Sequence, residues 1–401
     1  MRILTVVCYY KPAYVYGGPV KSISTMCEAL VGLGQEVTVL TTNANGTRRL
    51  DVPLGASVNI NGVEVVYYPI SPGFPSSFFY SPALAKAVKR RVNEFDIVVV
   101  EALFTHLMGP ATTACRRNRI PYVIPPRGQL LPWSLQQKRL KKQVYLSLVG
   151  KYYLNHAAAL HCTDPLEAEA IKRLNCRSPT FVIANGIDLS KFSAINERGR
   201  IRAEFGIPAD SIVLLFMGRL HMKKRPDIAI QAFAKVKSVY LNAYLLMCGP
   251  DEEGLSSALQ AEANKLGCSD RVIFTGLMSG DKISQLLADV DIFLMPSEPQ
   301  SENFGMAAVE AMAVGVPILI SEGVPVGYWA EKAGAGRMVP CTADAFANAL
   351  FELLRSHDHL MCMGEHGREL VRQKFDIQVV ARQMLRQYES IITSGHPLQA
   401  L

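Results

Sequence analysis

PSEPQSENFGMAAVEAMAVGVP, residues 296–317, is the stretch from which the rest of the chain can be read. It carries Glu302 and Glu310 with seven residues between them, and an Asn303-Phe304-Gly305 turn after the first. FLMPS leads in as a strand and AAVEAMAVG leads out as a helix. That helix is expected to start near Met306 and stop at Gly315, where Gly followed by Val-Pro is a stop signal. A helix N-terminus after a tight glycine turn presents unpaired N–H groups and a partial positive charge, which suits a phosphate. Eight residues of helix span about 12 Å. The two carboxylates could then flank a diphosphate, one for sugar hydroxyls and one for ribose hydroxyls. Two acids at this spacing also arise by chance on a solvated helix, so the pair alone does not decide.

The bulk properties narrow the class. A chain of 401 residues is long for one core and predicts two domains. Charged residues at 19% and hydrophobic ones at 49% describe a globular rather than a disordered chain. Mean hydropathy is +0.14, yet no continuous apolar run reaches the length of a membrane span. MRILTVVCYYKP reads as a first buried strand rather than a leader. Nine cysteines are scattered without CxxC pairs, so neither a disulfide framework nor a zinc site is indicated and a reducing cytosol fits. The net charge of +7 is uneven: residues 1–190 hold 21 Lys/Arg against 11 Asp/Glu, and the remainder 21 against 24. The first half is therefore expected to meet something anionic, a membrane surface or a lipid phosphate. Nucleic acid is not expected, because no recognised binding motif is present.

Both halves alternate apolar strands with helical patterns, which predicts α/β folds with parallel sheets. ILTVVCYY, EVTVLTT, VEVVYYP, DIVVVEA, YVIPPR, ALHCTD and TFVIAN are the expected strands of the first half. ANGIDLSKF, residues 184–192, breaks the pattern as a connector, and a polar helix, NERGRIRAEFGI, opens the second half. IVLLFMG, AYLLMCG, RVIFTG, DIFLMP and PILIS follow as strands. The expectation is a domain over 1–190, a second over 191–374, and a terminal amphipathic segment over 375–401. The second half lacks GxGxxG after its first strand, which argues against a dinucleotide domain.

Several residues could carry chemistry. Gly17-Gly18 stands just ahead of a helix, where glycines let backbone amides approach an anion closely. Arg219 and Lys224 lie on a loop after a strand and could clamp the charge building on a leaving diphosphate; a solvated basic loop is the plain alternative. Asp289-x-Asp291 resembles a metal-binding DxD, but both aspartates sit between a helix and a strand, where capping explains them. Glu101 ends a strand and could accept a hydrogen bond or serve as a general base, or be a surface carboxylate. His106 follows it. Lys138, Arg139, Lys141 and Lys142 share a segment with Trp133, Leu140, Tyr145 and Leu148, which describes an interfacial helix over 133–151, and residues 78–92 repeat that character.

Taken together, the Glu302–Glu310 stretch with its EAMAVGVP tail, GRLHMKK at 218–224 and the glycine pair resemble glycosyltransferase family 4, enzymes of the GT-B fold. The resemblance covers nearly the whole chain. It implies two Rossmann-like α/β/α domains facing one cleft, with the terminal helix crossing back to the first. It implies transfer of a hexosyl group, glucose foremost, from a nucleotide sugar with retention of configuration and without a dedicated metal or cofactor. The donor is expected to be UDP-linked on frequency alone. Arg219 and Lys224 would bind the diphosphate, Gly17 and Gly18 would line it, and the nucleobase would lie near Ile273. Glu302 and the amides from Asn303 through Phe304 and Gly305 to Met306 would hold the sugar, and Glu310 the ribose. Two departures stand out: Arg225 replaces the usual glycine after the lysine, and Glu101 replaces the usual active-site histidine. PPRGQLLPW resembles a segment of polysaccharide-assembly members and puts Arg127 on the acceptor side with Glu101 and His106. A saccharide or polyprenyl-diphosphate-linked acceptor, exopolysaccharide or cell-envelope synthesis, and a cytoplasmic site on the inner membrane face follow as expectations. A nucleotide-sugar epimerase, a phosphorylase and a non-catalytic sugar-nucleotide binding protein are the alternatives on the same fold.

Overall fold

The computed structural model describes residues 1–192 and 198–398. Asn196 and Glu197, which open the expected polar helix, and residues 399–401 lie outside them; the helix itself runs Arg200–Glu204. The chain divides into two compact units, one of Met1–Gly186 plus the helix that begins at Ile377, the other Ile187–Asp376.

In the first unit the strands are β1 (Arg2–Val7), β2 (Glu36–Thr42), β3 (Ser57–Ile60), β4 (Val63–Tyr68), β5 (Ile97–Glu101), β6 (Tyr122–Ile124), β7 (Ala159–Cys162) and β8 (Thr180–Val182). They form one sheet in the order β8-β7-β6-β5-β1-β2-β4-β3. All pairs are parallel except β3 with β4, an antiparallel edge that the apolar pattern did not reveal because Ser57–Ile60 is half exposed. Near-continuous apolar runs such as ILTVV and IVVV suit strands covered on both faces. Successive residues feed opposite cores: Leu4, Val6, Val98 and Val100 pack on one side, Ile3, Val7, Ile97 and Val99 on the other. The helix Ile377–Ser394 joins the second of these cores through Ile377, Val380, Ala381, Met384, Tyr388 and Ile391, a helical-period stripe beside Ile23, Cys27 and Leu30.

The second unit has β9 (Ile212–Met217), β10 (Ala243–Cys248), β11 (Val272–Gly276), β12 (Ile292–Met295), β13 (Ile318–Ser321) and β14 (Gly336–Val339), all parallel, in the order β11-β10-β9-β12-β13-β14. The strand β14, GRMV, carries an arginine and a glycine, so its apolar run was too short to read from sequence. Both units are Rossmann-like.

One expectation is corrected here. Residues 133–151 are not a single helix. A short helix, Pro132–Gln136, ends where Lys138 adopts a left-handed φ of 55°, and a second helical run starts at Arg139. Residues 78–92 do contain a helix, Pro82–Arg91, capped by the Ser81 side chain.

Candidate functional site

In a doubly wound sheet, ligands bind beyond the carboxyl ends of the strands where the strand order reverses. In the second unit that point lies between β9 and β12. The chain leaves β9 into Gly218–Lys224 and leaves β12 into Pro296–Glu302, so the topology itself brings the expected cations and the first glutamate together. The two loops are stitched: the Glu298 amide donates to the Lys223 carbonyl at 2.8 Å, and the Ser301 hydroxyl to the same carbonyl at 3.3 Å. At their centre the Lys224 ammonium lies 2.5 Å from Glu302 Oε1, which also accepts from the Ser297 hydroxyl at 3.1 Å. Both charged side chains are largely buried, 17% and 11% exposed. Burial alone would push the Glu302 carboxyl up, but Lys224, Lys223 and Ser297 outweigh it and hold it below the usual carboxylate range. Burial pushes the Lys223 ammonium down, with Lys224 and Arg219 adding to that and Glu302 opposing it. Sequence reading missed Ser297 and Lys223; their place on the same two loops was the available signal.

Beyond Glu302 the chain turns at Gly305, whose φ of 101° belongs to glycine and whose absent Cβ would strike Val326 Cγ1 at 2.8 Å. The helix Met306–Ala313 follows, eight residues as expected. Asn303 and Met306 are half-buried beside the turn, and Glu310 is half-buried one turn in, about 6 Å along the axis from Met306. The Phe304 side chain is core, 1% exposed and packed edge-on against Phe375 at 5.4 Å. Only its backbone can serve a ligand. The loops after β9 and β10 meet backbone to backbone: a Cβ on Gly249 would lie 1.8 Å from the Gly218 carbonyl oxygen. Ile273 lies on β11 opposite Leu246, half-buried.

Arg219 is half exposed, 3.5 Å from Glu252, and His221 sits 3.1 Å from Glu253 while its Nδ1 accepts from the Lys223 amide. Arg225 explains its own departure from glycine. Its φ is 48°, the left-handed region glycine favours, and its guanidinium is held there by Asp227 through Nε and Nη2, with Glu298 at 3.6 Å.

Asp289 and Asp291 are structural. Asp289 is buried and accepts from the Gly199, Ile201 and Arg202 amides, capping the helix Arg200–Glu204 rather than its own. Asp291 accepts from the Val213 amide and pairs with Arg202 at 3.1 Å. Among the described residues no group of three or more His, Cys, Asp or Glu is arranged to hold a metal ion.

The first unit has its own reversal point, between β1 and β5. Gly17, with φ 69°, and Gly18, the first residue of the helix Gly18–Gly32, follow β1, and a Cβ on either would meet open space. Glu101 ends β5, and here a correction is due. It is neither a surface carboxylate nor a free base. Arg127 grips it with two nitrogens, at 3.0 Å and 2.5 Å, and donates to Asn185 at 2.7 Å, with the two charged side chains only 5% and 14% exposed. Arg127 is therefore spent on Glu101 rather than offered to a phosphate. It holds a left-handed φ of 53°, and the next amide, Gly128, donates to the buried Glu167 at 2.5 Å. Glu167 also takes the Thr163 amide and hydroxyl. The Asp164-x-x-Glu167 spacing, a capping-box pattern, was the legible sign of this second buried carboxylate. His106 packs against Tyr80 at 4.5 Å and Phe78 at 5.9 Å, and burial lowers its imidazole pKa. His161, which the sequence did not single out, is buried, stacks on Phe181 and donates from Nε2 to the Ile183 carbonyl.

Comparison with known proteins places this architecture. Residues 197–370 match the family model described as glycosyl transferases group 1, and residues 16–191 that of glycosyltransferase family 4. A D-inositol 3-phosphate glycosyltransferase of Mycobacteroides abscessus is 34% identical over 178 residues, 43% of this chain but only 38% of that protein's length. An uncharacterised glycosyltransferase of Methanocaldococcus jannaschii is 28% identical over 80% of both chains. Among solved structures, Anabaena HepE in complex with UDP and glucose superimposes with a TM-score of 0.76 at 21% identity, covering 97% of this chain and 100% of that one. Sucrose-phosphate synthase from Thermosynechococcus elongatus gives 0.77 at 19% identity, over 98% and 100%. Two Rossmann-like units with parallel sheets, matched in turn by the two family models, are the GT-B fold, and the chain belongs to glycosyltransferase family 4.

Proposed function

We propose that this protein transfers a hexosyl group, glucose foremost, from a UDP-sugar to a saccharide or polyprenyl-diphosphate-linked saccharide, with retention of anomeric configuration, in exopolysaccharide or cell-envelope polysaccharide assembly. The observation that carries the reading is the Lys224–Glu302 pair at the β9/β12 reversal, just ahead of the helix N-terminus at Met306. HepE, whose solved complexes hold UDP, glucose and UDP-glucose, supports a UDP-linked donor.

The chemistry follows from charge. A diphosphate leaving group gains negative charge as the glycosidic bond breaks, and preorganised cations and amides in a dry site stabilise that charge without reorganising. Lys224 is held in position by Glu302. Arg219, paired loosely at the surface, is free to swing onto a phosphate. The amides at Asn303–Met306 add the partial charge of the helix end. Glu302 keeps its proton off, so it accepts from sugar hydroxyls and cannot act as a general acid. Glu310 binds the ribose, Ile273 lies by the base, and Gly17 and Gly18 let the backbone approach the donor. No enzyme nucleophile is required; a leaving phosphate oxygen can take the acceptor's proton. Glu101 acts through Arg127 as an anchor of the acceptor-side loop. A cytoplasmic location and contact with an anionic membrane through residues 78–92 and 133–151 complete the reading.

The test is transfer of labelled glucose from UDP-glucose to a membrane lipid extract, with and without that extract. Acceptor-dependent lipid labelling supports the proposal. Conversion of the donor to another UDP-sugar without acceptor would replace it with epimerisation.

A further inference from the structure

Between Glu101 and Asp164 the chain carries nine Lys/Arg and not one Asp or Glu. Within that stretch, residues 139–155 form one uninterrupted helical run, with α-helix Arg139–Tyr145, a π-helical stretch Leu146–Gly150 and α-helix Lys151–Asn155. Its inner face is conventional, with Leu146, Gly150 and Leu154 buried. Its outer face is not. Leu140 is 79% exposed, Val144 56%, Leu148 74% and Tyr152 48%.

These four residues are spaced four apart. On a regular α-helix such a series overshoots the turn by about 40° at each step and winds around the axis. The π stretch, with its wider turn, sets the later residues back. The insertion thus offsets the drift and keeps Leu148 and Tyr152 on the exposed side with Leu140. Lys138, Arg139, Lys141 and Lys151 are exposed around this stripe, and the Arg116 guanidinium covers the Tyr152 ring at 4.8 Å.

We propose that the stripe Leu140–Val144–Leu148–Tyr152 seats the protein on an anionic lipid surface, with the helix lying in the plane of the interface. An apolar line inside a basic surround is the pattern of an interfacial helix, and no described helix is long and apolar enough to cross a bilayer. Charge selects the occupant. Lipid phosphates complement the seven exposed cations of this stretch, Arg127 being buried against Glu101 and Lys142 half-buried, whereas a second copy of this chain would bring the same acid-free, basic stretch against itself. The inference deepens the lipid-linked acceptor proposed above and rests on it for its purpose: the stripe would hold the enzyme where such an acceptor lies.

Flotation with vesicles of phosphatidylcholine alone, or of phosphatidylcholine and phosphatidylglycerol in equal parts, tests it. The wild type should float with the anionic vesicles and stay behind with the neutral ones. Leu140→Gln with Leu148→Gln should weaken binding at least about tenfold, since each leucine gives up its burial in the interface. Lys138→Gln with Lys141→Gln should weaken it about fivefold per charge, and added salt should affect this variant less than the wild type. All four substituted positions are at the surface, so thermal unfolding should be unchanged in both proteins. A wild type that ignores anionic vesicles, or variants that bind as it does, would overturn the proposal. So would sedimentation showing a wild-type dimer that the leucine variant dissolves, with vesicle binding intact. Vesicle binding by a protein that transfers no glucose would remove the transfer reading and leave the membrane seat standing.

Discussion

The Lys224 ammonium and the Glu302 carboxylate, 78 residues apart in sequence, meet at 2.5 Å because β9 and β12 are neighbours whose outgoing loops share one crevice. In the proposed function the pair is a prepared site: a cation already positioned to receive a phosphate, and a carboxylate that stays ionised beside it. Lys224→Ala and Arg219→Ala should each lower turnover by about 10²–10³-fold, the usual cost of removing one such electrostatic stabiliser. Steady-state transfer from UDP-glucose checks this. Near-normal kcat in both would remove the clamp.

Glu310 tests the far end of the donor. Its replacement by Ala should weaken UDP, measured by calorimetry, by roughly tenfold or more, because a hydrogen bond to a charged group contributes about 1.5–3 kcal/mol. Uridine lacking phosphates should lose affinity by the same factor. Unchanged affinity for both would take the ribose away from Glu310.

The buried pair in the first unit makes a different prediction. Glu101→Gln leaves the Arg127 charge buried without a carboxylate, and stability should fall by about 3–5 kcal/mol. Replacing both residues by Met should cost less than the single change. Urea unfolding of Glu101→Met, Arg127→Met and the double gives the coupling directly. Additive losses would mean that the two residues do not act as a pair.

Burial, with Arg127 adding to it, pushes the His161 imidazole from its usual 6.5 down to about 3. The folded state therefore refuses a proton that the unfolded chain accepts, so the stabilisation is complete above about pH 6.5 and is lost as pH falls toward 3. The slope contributed by this one group approaches about tenfold in the folding constant per pH unit. His161→Gln, which keeps a donor for the Ile183 carbonyl, should flatten that part of the acid limb. An unaltered limb would mean that other groups carry it.

The sequence made the architecture legible where burial is two-sided. Continuous apolar runs announced nearly all the parallel strands, while the half-exposed edge Ser57–Ile60 and the short, Arg-containing Gly336–Val339 carried too weak a pattern. The two loops of the proposed donor site were legible because each is a short contiguous motif, the cations within Gly218–Lys224 and the glycine turn with its helix start within Glu302–Met306. The Glu101–Arg127–Asn185 cluster was not, since three separate strand ends must converge before the carboxylate acquires its partner. Arg225 taught a similar lesson: its departure from glycine could be seen, but the Asp227 fork that makes a left-handed arginine tolerable could not. Nor could the π turn that keeps Leu148 and Tyr152 in line with Leu140 be read from a pattern of hydrophobicity.

Thermal unfolding with UDP-glucose, GDP-glucose and ADP-glucose, on the wild type and on Lys224→Ala, reports on the proposed donor site itself. A ligand that binds only the folded protein raises its melting temperature with ln(1 + [L]/Kd). UDP-glucose should raise the wild-type Tm more than the other two donors do, and Lys224→Ala should lose most of that rise. A wild type that no nucleotide sugar stabilises, or a Lys224→Ala variant stabilised to the same extent, would contradict a donor site at the β9/β12 edge.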